Sequence, residues 1–255
     1  MIRYFPIIVC VALSMVQSAL SVEVYEFRIY HMKSAEHAQK WDAWMEAAGV
    51  KEFKSAGAFK VGAFKARPME SEEDHRRYLV AAYSSMGDVG KAEAESGVEP
   101  TGDEVIEAFL NPGAKDPIFE RVESSLLTAF PGFPKLQDPE GEGTGERFFE
   151  IRTYENPSER AAALKVEMFG KGGEIAIFDS VGLNSVFYGS ARIAGNSPQL
   201  TYMVAHENES AMDKAWEGFR TSPDWDKLKK NPRYKGTVSK IHKFFMEALP
   251  FSELK

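Results

Sequence analysis

Apolar and polar positions alternate through Tyr25-Glu26-Phe27-Arg28-Ile29-Tyr30, which follow Val24. A period of two predicts a strand with Glu26, Arg28 and Tyr30 on one face and Tyr25, Phe27 and Ile29 on the other. The period then lengthens. Ala38, Trp41, Met45 and Ala48 stand three or four apart, which places them on one stripe of a helix. Ser34 is its expected N-cap and Gly57 its expected left-handed stop. Two strands are predicted next, over 58–66 and 78–83, joined by a long charged connection at 67–77. Gly87, Gly90 and Gly97 dilute the following segment. Val105, Ile106, Phe109 and Leu110 restore a helical pattern before a last strand over 120–127.

The whole pattern then repeats. Tyr25-Glu26-Phe27-Arg28-Ile29-Tyr30 returns 124 residues later as Phe149-Glu150-Ile151-Arg152-Thr153-Tyr154. With one residue inserted near Asn156-Pro157, Trp44 matches Phe169, Val50 matches Ile175 and Phe53 matches Phe178. Ser55-Ala56-Gly57 matches Ser180-Val181-Gly182 in the same register. A fixed long period is the mark of a duplicated structural unit. In the second copy Ala161, Leu164 and Met168 carry the first helix, and Gly172-Gly173 breaks it before Ile175 and Phe178. Strands are expected over 184–193 and 200–206, with Gly195-Asn196-Ser197-Pro198 as the turn between them. Met212, Ala215, Trp216 and Phe219 form the second helix, Ser222-Pro223 opens a short one, and a strand over 238–246 ends the copy. Each copy therefore reads β-α-β-β-α-β, the split-βαβ or ferredoxin-like order. An apolar sheet face cannot stand open to water, so the two copies are expected to cover one another. The predicted organisation is a leader over 1–21, a first unit over 22–136, a polar glycine-rich linker over 137–145 and a second unit over 146–255.

The leader has the layout of a secretory signal peptide. Arg3 precedes a short apolar run, and Ala19-Leu20-Ser21 offers small residues for cleavage before Val22. Export to the periplasm or the exterior is the expectation. Cys10, the single cysteine, lies in that leader, so the mature chain would have neither disulfides nor thiolate chemistry. The net charge of −7 becomes −8 when Arg3, the one charge in the leader, is removed. The densest basic stretch, 227–235, reads as a solvated helix end, which argues against nucleic-acid binding. No second long apolar segment follows, so no membrane span is expected in the mature chain.

Glu-Φ-Arg-x-Tyr opening each copy, the Ser-x-Gly stop and the stretch Ala215-Trp216-Glu217-Gly218-Phe219-Arg220-x-x-Pro223-Asp224-Trp225 resemble the NIPSNAP family. The resemblance covers nearly all of the second copy and less of the first, whose second helical region has no tryptophan. It implies a ferredoxin-like fold of the dimeric α+β barrel type, here closed by two copies within one chain. It implies no agreed activity. Related barrel families include small cofactor-independent monooxygenases and haem-binding proteins.

The polar rows carry the candidate chemistry. Glu26, Arg28 and Tyr30, and likewise Glu150, Arg152 and Tyr154, are expected to face the space between the two sheets, with Tyr25, Phe27 and Ile29 toward the helices. There arginine could fix an anionic or carbonyl group while tyrosine donates a hydrogen bond. The alternative is structural: glutamate and arginine satisfy one another and set register. Tyr202 and His206 share a strand face and are expected at the same cavity, His206 as a base or haem ligand, with His31 weighed equally. His37 and His75 read as solvated, and His242 as having no acidic neighbour at ligand spacing. No zinc-ligand spacing, Walker loop, G-x-S-x-G or G-x-G-x-x-G is present, and Gly170-Lys171-Gly172-Gly173 reads as a helix break. The tryptophan stripes read as core. The reading is thus a barrel binding a small molecule between its sheets, without a resident cofactor and leaning away from catalysis. An oxygenase or haem-related enzyme and an interaction scaffold are the alternatives, and outer strand edges leave room for homo-oligomers.

Overall fold

A computed structural model describes residues 22–68, 75–89, 100–141 and 145–255. The expected leader and the middle of the expected linker lie outside the described residues. The first half comprises β1 (Val24–Met32), α1 (Ala35–Trp44), a π turn (Met45–Gly49), α2 (Val50–Ser55), β2 (Ala58–Ala66), β3 (Arg77–Tyr83), α3 (Met86–Val89), α4 (Glu104–Leu110) and β4 (Phe119–Ala129). The second comprises β5 (Phe148–Glu155), α5 (Glu159–Phe169), α6 (Glu174–Ser180), β6 (Asn184–Ile193), β7 (Gln199–His206), α7 (Glu209–Thr221), α8 (Pro223–Lys229), a 3-10 turn (Pro232–Tyr234) and β8 (Lys240–Ala248).

Local chemistry sets these boundaries as expected. The Ser34 hydroxyl accepts from the backbone of His37, and Ser222 caps α8 ahead of Pro223. Gly57 closes α2 at φ 102°, and Gly173 opens α6 at φ 93°, a backbone region that disfavours any side chain.

All eight strands form one closed barrel in the order β1-β3-β2-β8-β5-β7-β6-β4. Within each half the order is that of a ferredoxin-like sheet, with strands one and three central. The halves join at two short antiparallel seams. Phe64 to Ala66 of β2 pair with Ala248 to Met246 of β8, and Leu126 to Ala129 of β4 pair with Ile193 to Gly189 of β6. Closure pairs the outer strands of the two sheets with one another along these seams. At the second seam Gly189 admits Leu127, whose Cβ would stand 2.7 Å from any side chain placed there.

One core lies inside the barrel and two lie outside it. The inner core joins Tyr25, Phe27 and Ile29 to Phe149, Ile151, Met203 and Met246 across the two sheets. The outer cores pack each sheet on its own helices, around Trp41 and Trp44 in the first half and Phe178 and Trp216 in the second. Each fully buried side chain of this kind contributes about 1.5–3 kcal/mol from area removed from water.

The faces of β1 and β5 are therefore the reverse of the expectation. Tyr25, Phe27 and Ile29 turn into the barrel, while Glu26, Arg28, Tyr30, Glu150, Arg152 and Tyr154 turn toward the helices. An eight-stranded barrel is just wide enough to be filled by its own side chains. The more apolar row fills it, and the charged row goes where helices supply further hydrogen-bond partners.

Candidate functional site

The second half places Glu150 at the centre of a buried network. Its carboxylate is fully buried and accepts from Arg152 Nε at 2.6 Å, His206 Nε2 at 3.0 Å and Trp216 Nε1 at 2.8 Å. β5 supplies Glu150 and Arg152 two residues apart, β7 supplies His206 and α7 supplies the indole. Burial alone raises this carboxyl. The hydrogen bonds and charges of His206 and Arg152 more than reverse that, and Glu150 titrates below its ordinary range. The Arg152 guanidinium in turn lies over Trp216, 3.5 Å from the ring centroid.

Beside this network stands a cavity of about 430 Å³ between the outer face of the sheet and helices α5 to α8. Arg152, Lys165, Arg220 and Lys243 bring positive charge to it, against the single carboxylate of Glu174. Trp216, Phe219, Trp225, Val238 and Ile241 make its surface largely apolar. Phe219 and Trp225 pack ring on ring at 4.4 Å. Tyr154 lines the cavity, and its hydroxyl meets that of Tyr202 at 2.9 Å. Burial raises both phenols above their ordinary value, so both stay protonated at neutral pH.

Lys165 and Glu174 complete the wall. Both side chains are buried and the ammonium meets the carboxylate at 2.6 Å. The ammonium also lies 4.5 Å from the Phe169 ring centroid and 5.6 Å from that of Tyr154. Burial raises the Glu174 carboxyl, and the Lys165 charge opposes the rise. The glycine break at Gly172-Gly173 makes this pair: it turns the chain so that α6 presents Glu174 back to α5.

The predicted residues thus divide. Glu150, Arg152, Tyr154, Tyr202 and His206 come together, but on the helix side of the sheet, and only Arg152 and Tyr154 of these line the cavity. His206, expected to look into a cavity, is buried against Phe148 and holds Glu150. Glu26, Arg28 and Tyr30 form a reduced copy in the first half. Arg28 pairs with Glu26 at 2.5 Å, Tyr83 donates to Glu26 at 3.2 Å, and Arg28 lies over Phe53. Register places Leu79 where the second half has Tyr202, and Tyr83 where it has His206. Tyr30 packs on Trp41, and Trp44 stacks on Phe109 at 4.2 Å, filling the helix side.

One further reading of histidine is corrected. His37 is buried rather than solvated and meets Asp116 at 3.4 Å. His242 meets Glu155 on the adjacent strand at 2.6 Å. Neither cross-chain partner has a signature in the local sequence. Lys165, Glu174, Arg220 and Lys243 were also missed, and a lysine inside the Ala161–Met168 stripe was the one available signal.

The NIPSNAP family profile matches residues 149–253. The second half of the chain is a NIPSNAP domain. The match begins at the first residues of the Glu150 network and takes in every wall of the cavity. Two halves closing into one barrel also occur in solved structures. A candidate monooxygenase of Fusobacterium nucleatum superposes with a TM-score of 0.57 at 11% identity, covering 90% of this chain and 93% of its own. A candidate monooxygenase of Lactobacillus acidophilus gives 0.54 at 10%, covering 89% and 94%. An anthrone oxidase-like protein gives 0.54 at 11%, covering 90% and 92%. At these identities the likeness is one of fold. No curated protein matches the chain in sequence.

Proposed function

We propose that the NIPSNAP half binds a small organic anion with an aromatic or otherwise apolar body. The observation that carries this reading is the convergence of Arg152, Lys165, Arg220 and Lys243 on a cavity whose surface is mostly aromatic. Arg152 and Lys165 are offset by Glu150 and Glu174, and Arg220 by Glu217. Lys243 has no ion-pair partner among the described residues, which leaves the cavity with surplus positive charge. A flat apolar body fits against the aromatic wall, and its carboxylate, sulfonate or phosphate faces the cations.

The same geometry favours binding over proton abstraction. Tyr154 and Tyr202 are held as neutral phenols, which donate hydrogen bonds but make poor bases. An oxygenase acting on the same class of ligand is the second reading, and the naming of proteins with this fold as candidate monooxygenases favours it. Oxygen consumption in the presence of a bound anion distinguishes the two. The expected leader over 1–21 adds export to the proposal, and a mature N-terminus at Val22 tests it.

Calorimetric titration tests the binding reading. 1-Naphthoate should bind, and its neutral analogue 1-naphthylmethanol should bind more weakly. Lys243→Glu, at the cavity wall, should raise the naphthoate Kd about tenfold at low salt. Equal binding of the neutral analogue, or an unchanged Kd in the variant, contradicts the proposal.

A further inference from the structure

The space between the two sheets is packed at its middle but opens at the end where β1 and β5 finish. β4 remains paired with β1 from Phe119 onward, yet its pairing with β6 begins only at Leu126. The seam is open over the intervening residues. A second cavity of about 530 Å³ lies there, bounded by β4, the turn at Gly195-Asn196 and the starts of β7 and β8. It is on the other side of the sheet from the cavity beside Arg152.

We propose that this barrel mouth is a second ligand site, for an uncharged polyhydroxylated molecule of mono- to disaccharide size. Its floor is the apolar trio Phe27, Ile29 and Phe244. Its walls carry Ser124, Ser125, Thr153, Asn196 and Gln199, groups that both donate and accept hydrogen bonds. An apolar platform ringed by such groups matches a molecule with an aliphatic face and hydroxyls at its edge. The volume falls within the range of small-molecule sites.

The ionisable side chains of the mouth already have hydrogen-bond partners. Glu123 and His242 line the cavity, and each has its own partner: His31 meets Glu123 at 2.7 Å, and His242 meets Glu155 at 2.6 Å. Arg121 also donates to Glu123. The two pairs are related by the duplication. Glu123 stands opposite Ile29 as His242 stands opposite Thr153, while His31 and Glu155 follow Tyr30 and Tyr154. Each half therefore presents one histidine–glutamate pair to the mouth, with its members exchanged. An ionic ligand finds no unpartnered ionisable side chain among these residues, whereas a hydroxyl, which both donates and accepts, can bond beside either pair.

Ring signals of ¹³C-labelled histidine test the assignment in the full mature chain. Maltose, glucose and myo-inositol are titrated alongside glucuronate and glucose 6-phosphate. At least one neutral probe should shift the His242 ring saturably and leave His206, which lines neither cavity, unmoved. Ser125→Phe should fill the mouth and raise that Kd at least tenfold while thermal unfolding stays cooperative. Asn196→Ala, on the exposed turn, should weaken binding if the phenylalanine variant does not fold. No shift with any neutral probe, shifts with the charged probes alone, or unaltered binding in the variants overturns the proposal. 1-Naphthoate reports separately on the cavity beside Arg152, so failure at one site leaves the other to be judged alone.

Discussion

Arg152 lies over Trp216, 3.5 Å from guanidinium carbon to ring centroid, and both side chains donate to Glu150. The carboxylate thereby locks a strand of the sheet to α7. It also orients the cation and the indole that together form one wall of the cavity.

Glu150→Ala should be costly. It leaves the Trp216 N–H, the His206 ring and a largely buried guanidinium without their common acceptor. Removing one member of a buried charged network costs about 3–5 kcal/mol, measurable by urea unfolding. The same network predicts acid sensitivity. The folded carboxyl titrates below its ordinary 4.5, so its stabilisation is complete above about pH 4.5 and is lost as pH falls through the lower folded value. Glu150→Gln should remove that part of the acid-induced loss.

Lys165 and Glu174 predict a non-additive cycle. Lys165→Met strands a buried carboxylate, and Glu174→Leu strands a buried ammonium, so each single variant should lose about 3–5 kcal/mol. The double variant should recover most of that loss, because two apolar residues need no partner. Additive losses in the unfolding midpoints would mean that the two groups do not act as a pair.

How much of this was legible in the sequence depends on what kind of contact is asked about. The duplicated Glu-Φ-Arg-x-Tyr rows, the serine caps and the glycine stops are local, and they gave the order and nearly the bounds of the strands. Alternation also separated Tyr25, Phe27 and Ile29 from Glu26, Arg28 and Tyr30. It could not say which set faces the barrel, because both faces of each sheet are covered and both rows are largely buried. The choice depends on what waits on either side: a narrow interior that apolar side chains fill, or a helix carrying Trp216. His242 with Glu155, and His37 with Asp116, are joined only by the tertiary fold.

The closed barrel predicts the behaviour of a half-chain. Residues 146–255 alone would expose Phe149, Ile151, Met203 and Met246, which are buried against the first half in the intact protein. Such a face is far too apolar to remain in water. By analogy with the internal duplication, the fragment should pair with itself. Sedimentation should give a dimer or larger species, and a stable monomer would contradict the inward placement of that row.

The proposed binding site is tested most directly by the four tryptophan indoles. Trp216 and Trp225 line the cavity, whereas Trp41 and Trp44 lie in the first half's core. In ¹⁵N-tryptophan protein titrated with 1-naphthoate, the N–H signals of Trp216 and Trp225 should shift together and saturate, while those of Trp41 and Trp44 stay in place. Movement confined to Trp41 and Trp44, or no saturable movement of any indole, would contradict an anion site on the helix side of the NIPSNAP half.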